Sequence, residues 1–319
     1  MFVSIFKIIL IVFLFNTCSG TTGNEAKKSL HDSESSAHHD SDYDNPVDFF
    51  TESENDILND EEVDYSENHE GDSLPEKREF PDMSGVWAQK HWYSSKAKVY
   101  TFDNASGWIR TYFIVFQQMK GSTIEIESKI CHIKIANNTE MMNLLIPETY
   151  VEALRVQNKK AEIQMDGSGE IFFYQPVYWE VRSIDENAYS DPEKYTLPVS
   201  PEHSDVEDWD NDGEPGLRSL VKTTIVNGVI HTVQKISHEL TGRVISKDRI
   251  SGTVIWTDEQ EVLKSDSDFI KNALQETTNI MDSSSENIWE QVRIPESADC
   301  DYIIKNKDKL FFPDPVEID

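Results

Sequence analysis

The chain is expected to be mainly β, a barrel-like or sandwich body with a few short helices, preceded by a disordered acidic N-terminal segment. Three observations carry this. Between residues 81 and 313 the apolar residues fall in short runs, many with the period of two that turns one strand face inward. These runs are rich in β-branched and aromatic residues and are parted at short intervals by Gly, Asn, Asp and Pro. Residues 21 to 80, by contrast, hold 19 acidic and 4 basic side chains, few aliphatic ones and no sustained period. Such a segment is a solvated spacer extended by self-repulsion.

The elements follow in order. Met83 to Ala88 opens the body as a strand, followed by Lys98 to Phe102 and by Trp108 to Met119, which ends at Gly121. Ser122 to Glu127 alternates through Ile124 and Ile126, and Ile130 to Ile135 is apolar mostly on both faces. Pro147 to Leu154 breaks the pattern as a short helix with proline in its first turn. Strands resume at Lys160 to Met165, Glu170 to Tyr174 and Val177 to Arg182. Ser183 to Val206 is a long polar connection carrying Pro192, Pro198 and Pro201, a length that compact domains keep for function or a bound ion.

In the second half, Leu220 to Val226 and Val229 to Ile236 form a hairpin turning on Asn227-Gly228. Leu240 to Ile245 and Gly252 to Trp256 follow, the latter extending through Asp258 to Leu263. Asp266 to Thr277 reads as a helix with Phe269, Ile270 and Leu274 on one face, and Asn287 to Ile294 as the last strand. Asp301 to Leu310 is a terminal helix capped at Asp299 or Asp301, and 314–319 is a fraying tail. Short strands in this number suit one barrel or sandwich; two half-barrels joined through a loop is the alternative.

The first twenty residues are expected to be a signal peptide: Met1 to Phe15 is an almost unbroken apolar run, with one lysine at position 7, too short to span a bilayer with ease. Leu14-Phe15-Asn16-Thr17-Cys18-Ser19 resembles a relaxed bacterial lipobox, in which Cys18 would be lipidated; Thr17 departs from the small residue usual there. Cleavage near Ser19-Gly20 without lipidation is the alternative. With Cys18 so used, Cys131 and Cys300 remain, and in an exported chain they are expected to form one disulfide.

One loop carries chemistry. In Asp208-Trp209-Asp210-Asn211-Asp212-Gly213-Glu214-Pro215-Gly216, three carboxylates stand at alternate positions before a glycine, the spacing with which a short loop wraps an oxygen-seeking cation. Asp208, Asp210 and Asp212 take positions one, three and five, and Glu214 takes position seven. Ser219 stands where an EF-hand has its bidentate glutamate, so Asp205, Glu207, Glu214 or a carboxylate from another segment would have to complete the shell. The loop, placed at 205–217, resembles the calcium loops of thrombospondin type 3 repeats. It resembles still more a DxDxDGxPG loop of uncharacterised exported or lipid-anchored bacterial proteins. That resemblance implies a structural Ca2+ and no particular activity.

Gly85-Val86-Trp87 at the start of the body resembles the lipocalin opening motif. The resemblance implies that Trp87 plugs the closed end of a barrel beneath an arginine from a late strand, for which Arg293 is the candidate.

Charge and motifs bound the function. With 29 basic and 59 acidic residues the net charge is −30, which excludes a nucleic-acid surface. The sequence holds no GxSxG, HExxH, Walker A or strand-to-helix GxGxxG signature. Carboxylate pairs say little in so acidic a chain. The expectation is a noncatalytic exported protein or surface lipoprotein with a calcium-stabilised β domain. It would act on an unidentified ligand or envelope partner and touch membrane only through its lipid anchor. A lipocalin-like small-ligand carrier and a carbohydrate-active enzyme are the alternatives.

Overall fold

The computed structural model describes residues 79–99, 102–138, 142–275 and 278–316. The expected signal segment, Cys18 and nearly all of the acidic spacer lie outside them. Eleven strands form one antiparallel sheet: β1 (Gly85–Val99), β2 (Phe102–Lys120), β3 (Thr123–Asn137), β4 (Met142–Leu145), β5 (Gln157–Met165), β6 (Ile171–Arg182), β7 (Leu217–Thr223), β8 (Asn227–Ser246), β9 (Arg249–Ser265), β10 (Thr278–Met281) and β11 (Ile288–Arg293). Three helices accompany them: α1 (Glu148–Ala153), α2 (Asp268–Gln275) and α3 (Cys300–Leu310). None of the described helices is long and apolar enough to cross a membrane.

The sheet closes on itself. Pairing runs β8-β6-β5-β3-β2-β1-β11-β9, and β9 pairs back onto β8 from Ile230↔Ser265 to Ser246↔Arg249. Eight strands thus make a barrel with no open edge along its wall. The half-barrel alternative is overturned, because the pairing is one continuous ring. β8 is long enough to serve two neighbours on its other side. Its first part pairs with β7 and its later part with β6. β4 pairs with β7 as a flap outside the ring, and β10 pairs with the far end of β1.

Several strands expected as separate pieces are single strands with bulges. β3 runs unbroken because Tyr112↔His132 is followed by Phe113↔Ile130, leaving Cys131 as the extra residue. β6 absorbs Pro176 in the same way, between Gln175 and Tyr178. The hairpin expected at Asn227-Gly228 turns earlier. Lys222 pairs with Asn227 and Val221 with Gly228, so the dipeptide lies inside the ladder. Thr223 makes the turn, its Oγ1 accepting from the N–H of Ile225 and Val226. Gly228 is there for space: a Cβ would stand 2.6 Å from Asp266 Oδ1 and Ile270 Cδ1.

α1 and α3 lie where expected, and Asp299 caps α3 by accepting from Tyr302 N–H at 2.8 Å. On α2, Ile270 is buried but Phe269 is exposed, so the apolar face is narrower than expected. α3 packs on the outer wall through Ile303, with Phe311 just beyond it, against Val86, Tyr112 and Ile114. The expected disulfide is formed: Cys131 at the β3 bulge joins Cys300 at the first residue of α3.

One end of the barrel is filled. Trp87 and Trp289 are fully buried there with Met83, Val115, Ile124 and Phe173, and the Phe173 and Trp289 rings meet at 4.9 Å. Arg293 covers Trp87, its guanidinium carbon 4.4 Å from the ring centroid. The same side chain donates to the carbonyls of Asp82, Ser84 and Lys247 and pairs with Asp248. Gly85 is required beneath it: φ is +128°, and a Cβ would sit 2.7 Å from Arg293 Nη1.

Candidate ligand cavity and candidate metal loop

Above the plug the interior opens. A cavity of about 860 Å³ extends from the middle of the barrel to the end opposite Trp87, where β4, α2 and β10 rim its mouth. Its walls are mostly apolar, with Phe113, Ile130, Ile133 and Ile135 on one side and Ile236 and Trp256 on the other. They follow from the strand period: inward positions of β2 and β3 carry large aliphatic and aromatic groups, while Ala97, Ala105 and Gly107 near the mouth leave room.

Polar groups enter this interior in an ordered way. Glu180 accepts from Arg182 on both carboxylate oxygens, at 3.0 Å each, and from Gln157 at 2.7 Å. The remaining Arg182 nitrogen donates to Tyr150 Oη at 3.3 Å and Gln234 Oε1 at 2.9 Å. Gln234 in turn donates to Asp258 at 2.7 Å. Burial raises the Asp258 pKa, against the pull of these hydrogen bonds and of Arg182. Arg182 is therefore fully engaged, and the pair braces the wall between β6 and β8.

A second chain runs along the axis. Gln117 Nε2 donates to Gln291 Oε1 at 2.6 Å, and Gln291 Nε2 donates to Gln89 Oε1. Gln89 Nε2 meets His91 Nε2, His91 Nδ1 meets Tyr93 Oη at 2.5 Å, and Tyr93 Oη meets His238 Nε2 at 3.0 Å. His238 Nδ1 is buried without a partner, and His238 is among the residues that line the cavity. Both imidazoles are held well below their ordinary pKa, first by burial, and Lys159 adds to this at each ring. Lys159 stands behind Phe113, 5.5 Å from that ring and 5.0 Å from Tyr178. Burial brings its pKa down to about 8, with Glu180 the only group pulling the other way. No pattern of residues along the chain announces this interior. Gln, His and Lys at alternate strand positions read as solvent-facing, and only barrel closure turns them inward.

The acidic loop lies outside the barrel, between the long connection and β7. Its base is pinned by Gly216 N–H to Glu207 O at 3.0 Å and Glu207 N–H to Ser183 O at 3.0 Å. Trp209 packs against the barrel core and under Arg155, 4.3 Å from its ring. Asn211 and Gly213 take positive φ, as a tight wrap requires. The carboxylates converge: one oxygen each from Asp208, Asp210 and Asp212 lies within 4.8 Å of the others. That spread fits a common ion with oxygens at 2.3–2.6 Å. Asp208 accepts from the N–H groups of Asp212 and Gly213, and Asp210 Oδ2 from Arg218 N–H, while Asp210 Oδ1 is buried without a partner.

Burial raises the Asp210 pKa, and the charges of Asp212 and Asp208 raise it further. Burial also pushes Asp212 upward, but hydrogen bonds from His231 and Glu214 N–H outweigh it and leave the group low. His231, 2.9 Å from Asp212 Oδ2, comes from β8 and was not foreseen as a partner. The side chains proposed to complete the shell are engaged elsewhere. Glu214 pairs with Lys264 at 2.6 Å, Glu207 accepts from Arg155 and Trp209, and Asp205 accepts from Tyr195. Glu214 could thus serve only through its carbonyl. Ser219 is buried in β7, facing the cavity.

Compared with family models, curated proteins and solved structures, the chain matched none.

Proposed function

We propose that the protein is an exported, noncatalytic carrier whose barrel binds a small, largely apolar molecule. The observation that carries this is the cavity: about 860 Å³, plugged at one end and open at the other, with apolar walls and a few convergent polar groups. That volume falls within the ~300–1,000 Å³ range of small-molecule pockets. Trp87 under Arg293 supports the carrier reading, because the lipocalin resemblance places such a pair at the closed end. The Cys131–Cys300 disulfide suits an oxidising compartment, and the apolar segment before Cys18 supports export. A mass measurement of the mature N-terminus decides between lipidation there and simple cleavage. The carbohydrate-active alternative is less well supported, since of the carboxylates that line the cavity Asp258 is held by Gln234 and Glu259 by Lys235.

The test is binding of a neutral fluorescent probe, N-phenyl-1-naphthylamine, to wild type and to Ala105→Trp, which fills the cavity near its mouth. Saturable one-to-one binding to wild type, lost in a variant with an unchanged melting curve, is the expected result. Equal binding by both proteins would place the probe elsewhere and sink the reading.

A second reading accompanies the first: a structural Ca2+ held by Asp208, Asp210 and Asp212. Its specific support is Asp210 Oδ1, a buried carboxylate oxygen with no protein donor, on one of the three side chains that converge. The ion would neutralise the cluster and fasten the 183–216 connection to the barrel wall. Calorimetric titration with calcium measures it directly.

A further inference from the structure

The floor of the cavity has a polarity that follows from atoms already placed. Gln89 Oε1 accepts from Gln291, so the other half of that amide, Nε2, is the donor to His91 Nε2. A neutral His91 therefore carries its proton on Nδ1 and donates it to Tyr93 Oη. The tyrosine hydroxyl hydrogen then goes to His238 Nε2. A neutral His238 must hold its proton on Nδ1, the ring atom that is buried and without a partner. A chain of six side chains thus ends in one buried N–H donor without a protein acceptor, on a residue that lines the cavity. His238 is 5 % exposed, so bulk water does not satisfy it.

The charge around that donor points the same way. Lys159 and Arg182 act on His238, both in the sense of a positive surrounding. Arg182 is spent on Glu180, Tyr150 and Gln234, whereas no ion pair among the described residues holds Lys159. Asp258, which faces the cavity two residues along β9 from Trp256, is bound by Gln234. Beyond the floor Ile133, Ile135, Leu144 and Leu274 give the tail an apolar path toward the mouth, where Glu259 and Glu261 also stand in the lining.

We infer that the cavity takes a monocarboxylic amphiphile, its head group seated on His238 Nδ1 with Lys159 behind it and its aliphatic tail running to the mouth. This rests on the ligand-binding reading and adds to it the class of ligand. The carboxylate accepts a hydrogen bond from the His238 N–H and lies in the field of Lys159, which no ion pair among the described residues holds; the tail replaces water along the apolar wall.

The experiment compares decanoate with decanol by calorimetry, on wild type and on three variants of the full chain. Wild type is expected to bind decanoate at least tenfold more tightly than decanol. Lys159→Met removes a buried cation without leaving a cavity, and should abolish that selectivity. His238→Leu should do the same, while His238→Asn, whose amide nitrogen can stand where Nδ1 stands, should restore most of it. Equal affinity for the acid and the alcohol, or selectivity untouched by both Lys159→Met and His238→Leu, overturns the head-group assignment. If neither decanoate nor decanol binds while N-phenyl-1-naphthylamine does, the ligand class is wrong and the cavity reading stands. If none of the three binds, the cavity reading falls with it. Should His238→Leu not fold, Lys159→Met alone decides.

Discussion

Asp210 is where the metal reading is most exposed to test. Its carboxylate is partly buried beside two others, and burial with like charge holds its pKa above the ordinary value. A carboxylate so raised favours the fold only while protonated, and that contribution is lost as pH rises through its folded value. At neutral pH without metal, the ionised Asp210 is therefore a liability. Asp210→Asn is expected to melt at or above wild type in chelator, and below wild type once calcium is added. Calcium at a hundredfold excess over Kd should stabilise wild type by ~2.7 kcal/mol, a Tm rise of roughly 5–10 °C, and leave the variant unmoved. Scanning calorimetry in both buffers checks this; a variant still responsive to calcium places the ion elsewhere. The three aspartates were legible in the sequence because their spacing is local. His231 was not, because it reaches Asp212 only through the register of β7 on β8.

At the scale of elements, the β1–β11 contact makes the closed end. Trp87 and Arg293 face each other in the ladder and stack face to cation. Gly85 belongs to the same device, since its positive φ and the 2.7 Å approach of Arg293 leave no room for a Cβ. Gly85→Ala is expected to lose ~1–3 kcal/mol, measured as a lower urea midpoint at unchanged m. An unaltered midpoint would mean that the arginine yields without consequence. The motif and its partner could be read from the sequence, as could the cysteine pair, because tryptophan, arginine and cysteine are few and their geometry is demanding. β4 and β10 could not. Four residues such as Met142–Leu145 carry too little period to stand out, and they are strands only because β7 and β1 offer them edges. The Asn227-Gly228 signal misled for a related reason: Gly228 is small to admit Asp266 and Ile270, not to turn the chain.

For the molecule as a whole, the alternation of apolar residues predicted many short strands but left barrel and sandwich equally open. Closure depends on β8 pairing with β6 on one side and β9 on the other, a long-range fact that no window of sequence contains. The polar interior follows from closure, so it was hidden for the same reason: Gln89, His91, Lys159 and His238 look like surface residues until the ring is shut. One arrangement has a practical corollary. The polypeptide comes into the barrel beside Arg293, which grips the carbonyls of Asp82 and Ser84, and the mouth lies at the opposite pole. Captured on a bead through Glu79→Cys, the protein should take up N-phenyl-1-naphthylamine as readily as it does free in solution, whereas capture through residues of the β4–β7 flap should block uptake. A barrel held by the plugged pole keeps its opening clear of the support.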